Sequence, residues 1–172
     1  MFSLNDKVIY PGHGVAKVVR ILEKCIAGKP TQFFELHLMS KDMTVLVPVC
    51  NLSVIGVRKI SSSDFIQDIF NMLAVPIKIA ENTEGLPVNW NKRNKDYQAK
   101  LRSGDLLEIS KIYKTLKLIS ARKELSFGEK YLLQQTEGLL VEEIALVYNS
   151  EEDSALECLR SALSKNQMFS SL

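Results

Sequence analysis

The sequence predicts an α+β chain: a small β-barrel followed by an all-α helical bundle. Three observations carry that class. Up to about residue 58 the chain holds five short runs of β-type residues separated by tight-turn signals. From Ser61 onward, apolar residues recur at helical spacing instead. The length of 172 residues, 46% hydrophobic and 24% charged, suits one ordinary domain or two small ones and excludes a disordered or fibrous chain. The expected division is 1–60 for the barrel and 61–168 for the helical domain, with an internal loop at 75–89 and a tail at 169–172.

Lys7–Tyr10 is the first strand, and Pro11-Gly12-His13-Gly14 turns the chain, its histidine reading as solvated. Val15–Ile26 is the second strand and Gly28-Lys29-Pro30 the next turn. Gln32–Met39 alternates Phe34, Leu36 and Leu38 against Glu35, His37 and Met39, the pattern of a half-buried strand. Asp42–Val47 is the fourth neighbour in line, stopped by Pro48, and Ser53–Val57 is the last. Short strands with tight turns suggest closure into a barrel, which removes exposed edges.

Ser62-Ser63-Asp64 caps the first helix, whose apolar set is Phe65, Ile66, Ile69, Phe70, Met72 and Leu73, and Val75-Pro76 ends it. Four more helices follow the loop. Asn89–Arg102 is polar and basic. Asp105–Ala121 carries Leu106, Ile109, Ile112, Tyr113, Leu116 and Ile119 along one stripe. A long helix opens at the S-x-x-E capping box of Ser126 and Glu129 and runs to about Tyr148. Ser150-Glu151-Glu152-Asp153 starts the last, with acids that favour the positive end of its dipole.

Several function classes drop out. No apolar run approaches the roughly 18–20 residues of a membrane span, and the N-terminus lacks a secretory signal pattern, so a cytoplasmic location is expected. Cys25, Cys50 and Cys158 are scattered, without a CxxC pair, which is a poor disulfide framework and a poor zinc site. No P-loop, HExxH or GxSxG occurs. The expectation is a non-enzyme with no cofactor and no metal. The net charge of +2 conceals more: the blocks 1–60, 61–87, 88–123 and 124–172 carry +4, −3, +7 and −6. A segment with +7 in 36 residues points to a polyanionic partner, nucleic acid first.

That segment begins at Asn89-Trp90-Asn91-Lys92-Arg93-Asn94-Lys95, which holds the single tryptophan. Two readings stay open. Trp90 shares a helical face with Tyr97 and Leu101 and so suits a core position. The charge block pulls the other way, toward an exposed apolar wedge beside phosphate-binding Lys92, Arg93 and Lys95. Lys100, Arg102, Lys111, Lys114, Lys117, Arg122 and Lys123 read singly as a solvated face and together as a track for a phosphate backbone. The acidic face of the last two helices (Glu142, Glu143, Glu151, Glu152, Asp153) either points away from nucleic acid or balances this charge internally.

The motifs, taken together, resemble one family. Asp6-Lys7-Val8-Ile9-Tyr10-Pro11-Gly12-His13-Gly14-Val15 resembles the opening of the CarD/CdnL family of bacterial transcription regulators, a module shared with the transcription-repair coupling factor. Thr44-Val45-Leu46-Val47-Pro48, Gly56-Val57-Arg58, Asn89–Arg93, Lys100–Asp105 and Leu125–Lys130 continue the likeness in order along the whole chain. The resemblance implies a Tudor-like barrel that binds the β subunit of RNA polymerase. It also implies a helical domain at the upstream edge of the promoter bubble, where Trp90 wedges into the minor groove and Lys92, Arg93 and Lys95 contact the backbone. Open complexes then live longer. Polymerase-contacting cations of the family fall at Lys24 and at Leu46, and the leucine is a departure that either weakens this contact or shifts it toward strand pairing and apolar packing. The rival reading is a generic RNA- or ribosome-associated binding protein.

Overall fold

The computed structural model describes residues 2–76 and 90–168, and of the side chain of Trp90 and those beyond Ser164 nothing is described. The expected loop thus lies outside the described residues from 77 to 89, as does the tail 169–172. The chain divides into two compact units, Met1–Ile60 and Ser61–Leu172.

The first unit is an antiparallel sheet of β1 (Lys7–Tyr10), β2 (Gly14–Ile26), β3 (Lys29–Leu38), β4 (Met43–Pro48) and β5 (Arg58–Lys59). Its order is β4-β3-β2-β1-β5. Closure into a barrel is not seen: β4 and β5 are the two edges, and no ladder joins them among the described residues. Sequence-adjacent strands pair through tight turns. Gly12 and Gly14 take the left-handed φ values of 73° and 88° that the β1–β2 turn demands. The β2–β3 turn is tighter than expected, with Ala27 and Gly28 between the paired Ile26 and Lys29. A register shift between Val18 and Arg20 marks a bulge that bends the long β2. Inside lie Val8, Ala16, Val18, Phe34, Leu36, Leu38, Val47 and Val57, each such large side chain contributing about 1.5–3 kcal/mol.

The expected strand Ser53–Val57 is instead a helical turn, α1 (Leu52–Ile55). Pro48 ends β4, and Gly56 at φ 86° closes α1 in the left-handed region. The spacing of Leu52 and Ile55 is helical, and both pack on the core while Val54 is 84% exposed. The fifth strand is the short Arg58–Lys59, after Gly56 and Val57.

The second unit is helical: α2 (Ser63–Ala74), α3 (Trp90–Ser103), α4 (Leu106–Ser120), α5 (Phe127–Tyr148) and α6 (Glu152–Met168). Caps set the boundaries. Ser62 accepts from the Phe65 amide, and Asp105 accepts from Leu107 and Glu108. Ser126 and Glu129 form the capping box of α5. Gly104, at φ 71°, lets the chain leave α3 and enter α4 directly. One core joins Ile66, Ile69 and Leu73 of α2, Tyr97 and Leu101 of α3, Ile112, Tyr113 and Leu116 of α4, Leu132, Leu140 and Ile144 of α5, and Leu159 of α6. Helix α5 packs between α4 and α6, while α6 also packs on α2.

Candidate nucleic-acid interface

The basic segment becomes α3, α4 and the turn after α4. Tyr97 and Leu101 face the core at 7% and 1% exposure, so this helix is anchored by its second half. Trp90 is its first residue, and the choice between core and wedge falls on a side chain outside the described residues. Lys92 and Lys95 are exposed, with no ion-pair partner among the described residues. Arg93 behaves differently. Its guanidinium is 16% exposed and sits 3.3 Å from Glu129 Oε1, tying the start of α3 to the start of α5.

Glu129 is the residue that sequence reasoning read only as a cap. It is buried, accepts from the Ser126 amide at 2.9 Å, and has Lys123 Nζ 3.9 Å away. Burial pushes its carboxyl up, but the bonds to Ser126 and the charges of Lys123 and Arg93 outweigh that and hold it below the ordinary carboxylate range.

The rest of the +7 block is largely engaged inside the domain. Glu108 accepts from Lys111 at 2.6 Å and lies 3.2 Å from Lys100. Those two bonds, Lys111 first, lower its pKa. Lys117 lies 3.5 Å from Glu137. Lys114 overturns the solvated-face reading outright. It is 2% exposed and donates to the carbonyls of Met72 and Val75 at 2.6 Å each, where α2 ends. Burial lowers its pKa. A cation there meets the negative end of the α2 dipole and satisfies carbonyls the helix leaves over.

The acidic block resolves in the same way. Glu137 accepts from Tyr113 Oη at 2.9 Å and pairs with Arg160 at 3.4 Å. Glu143, 2% exposed, accepts from the Ser61 amide and hydroxyl at 3.0 and 2.7 Å. Glu143 is thus held inside the domain, by Ser61 rather than by a cation, whereas Glu151, Glu152 and Asp153 are exposed.

In the sheet unit, Lys24 is exposed on β2, paired in register with Thr31, and Leu46 is 45% exposed on edge strand β4, opposite Glu35. The two lie four positions apart along β3, so the structure does not bring them together. Leu46 heads a cross-strand row in which Glu35 binds Arg20 at 2.7 Å. His13 Nδ1 is 2.9 Å from Lys41 Nζ, and burial together with the Lys41 charge lowers its pKa, so the neutral ring accepts from the ammonium. No group of three metal-capable side chains occurs among the described residues. No helix among them is long and apolar enough to cross a membrane.

Known proteins share both halves of this arrangement. Residues 2–61 match the CarD-like/TRCF RID domain, and residues 75–160 match the CarD C-terminal domain. This chain belongs to the CarD family. As a CarD-like protein it joins a family of transcription regulators, with both modules present in order. It is 23% identical over 147 residues to YdeB of Bacillus subtilis (strain 168), a protein provisionally named as a transcription factor. That match spans 86% of this chain and 92% of YdeB.

Proposed function

We propose that this CarD-family protein binds RNA polymerase through its sheet unit and stabilises promoter open complexes through its helical unit. The observation that carries the reading is the presence of both CarD modules on one chain, the second opening its basic helix at Trp90. The partner of the first module is the polymerase β subunit. Edge strand β4 has unpaired backbone groups for strand addition, and Leu46 offers an apolar rather than a charged contact there. Lys24 adds a cation on the exposed arm of the β2–β3 hairpin.

At the DNA, Trp90 is the wedge at the upstream bubble edge, and Lys92 and Lys95 contact phosphates beside it. Arg93 acts first as a positioning residue, because its guanidinium is engaged by Glu129. Unstacking costs a few kcal/mol and least where polymerase has already opened the duplex, so the wedge favours the open state. A preference of about 1.4 kcal/mol shifts that equilibrium about tenfold, without base-specific contacts. Tethering to polymerase supplies the effective concentration that weak DNA affinity requires.

The test is Trp90→Ala, assayed for open-complex lifetime on a polymerase–promoter complex. The variant is expected to retain polymerase binding and thermal stability while losing the lifetime increase. A variant that melts well below the wild type places Trp90 in the core and sinks the wedge. A pull-down that returns ribosomal proteins or RNA instead of polymerase sinks the regulator reading altogether.

A further inference from the structure

Phe127 and Tyr131 have no role in the bundle. Phe127, the first residue of α5, is 88% exposed, and Tyr131, one turn on, is 60% exposed. Residues four apart share one side of a helix, and here it is the side turned from buried Glu129 and Leu132. Gln134, also exposed, extends the same stripe. Two large rings held in water on one stripe gain nothing from folding, and a ligand that covers them gains both faces.

Their surroundings select the ligand. Between 122 and 131 lie Arg122, Lys123 and Lys130 against Glu124 and Glu129; Lys130 pairs with Glu124 and Lys123 lies 3.9 Å from Glu129, which leaves Arg122 in excess. Arg93 reaches the same turn of α5 from α3, two residues after which Lys95, and one residue before which Lys92, stand exposed. The excess charge is positive around an aromatic pair, which complements a polyanion with flat apolar groups. A purely apolar helix would leave Lys92, Lys95 and Arg122 without use. Bases in a duplex hide their faces, whereas an unpaired base presents one to each side.

We propose that Phe127 and Tyr131 form a stacking platform for an unpaired base of melted DNA, beside the lysines that hold its backbone. The inference rests on the DNA reading of the preceding subsection and deepens it: the interface extends from α3 onto α5 and selects single-stranded over duplex DNA. Stacking of a base on an aromatic ring is worth about 1–3 kcal/mol and is indifferent to base identity.

The experiment titrates the full chain, at low salt, into a forked DNA carrying 2-aminopurine at its first unpaired positions, and into the matching duplex. The wild type is expected to prefer the fork and to quench 2-aminopurine. Phe127→Ala with Tyr131→Ala is expected to lose at least about fivefold of that preference and most of the quenching, with unchanged melting temperature and duplex affinity. Phe127→Trp with Tyr131→Phe is expected to retain both. Equal fork preference in the alanine double variant and the wild type overturns the platform, as does a self-association of the wild type that the alanine variant abolishes. A polymerase assay separates the two levels. If Trp90→Ala shortens open complexes while the aromatic double variant matches the wild type on the fork, only the platform fails. If the wild type binds neither DNA and does not lengthen open complexes, the DNA reading fails with it.

Discussion

Lys114 shows how far one side chain departs from the charge of its segment. It sits between Lys111 and Lys117 in sequence, yet it is sealed at the point where α2 ends. Its stem is buried and its ammonium donates to two carbonyls. Lys114→Ala removes both contributions and is expected to cost about 2–4 kcal/mol, checked by denaturant or thermal unfolding. The pH dependence has a definite sign. The folded state depresses this pKa, so the contribution of Lys114 is fully present above the ordinary value of 10.5 and declines as pH falls toward the depressed one. The gap between wild type and variant therefore widens as pH rises toward 10.5. A solvated lysine at this site predicts no stability loss, and that outcome removes it as the cap of α2.

Helix α5 works as a hub through three inward carboxylates. Glu129 holds Arg93 of α3, Glu137 holds Tyr113 and Lys117 of α4 and Arg160 of α6, and Glu143 holds Ser61 ahead of α2. Burial raises the Glu137 pKa, but the Tyr113 bond and the neighbouring cations outweigh it, leaving it lowered. Stability from a lowered carboxyl is present above its ordinary 4.5 and is lost as pH falls through the folded value. Glu137→Gln is expected to cost about 1–2 kcal/mol at neutral pH, and the difference from the wild type should shrink below pH 4.5. A difference that is flat with pH would show that the bonds, not the charge, carry the effect. The capping half of this helix was readable, because S-x-x-E has a local mechanism. The bolting half was not: Glu143 meets Ser61 across 82 residues, a pairing without local signature. The same limit explains α1. Val54, Ile55 and Val57 have strand propensity, and only the core contact of Leu52 and Ile55 reveals helical spacing.

Across the whole molecule, the charge blocks of the sequence point to a polyanion partly for the wrong reason. Much of the +7 in residues 88–123 and of the −6 that follows are the two sides of contacts within one domain. The motifs that carry the family resemblance behave likewise: the glycines after Tyr10, Gly104 with Asp105, and Ser126 with Glu129 are turn and cap chemistry that fixes the fold. What is left facing solvent without a protein partner is a smaller set in which Lys92 and Lys95 stand together on α3. Salt titration of DNA binding separates the two descriptions. Each phosphate contact contributes about 0.9 to the slope of log K against log salt. Lys92→Ala with Lys95→Ala is therefore expected to flatten the slope by about 1.8. Lys100→Ala with Lys111→Ala removes the same formal charge, but from lysines already held by Glu108, and is expected to change the slope by less than about 0.5. If the two double variants flatten it equally, the diffuse field of the block governs binding. In that case the ion pairs within the helical domain do not withdraw charge from the interface.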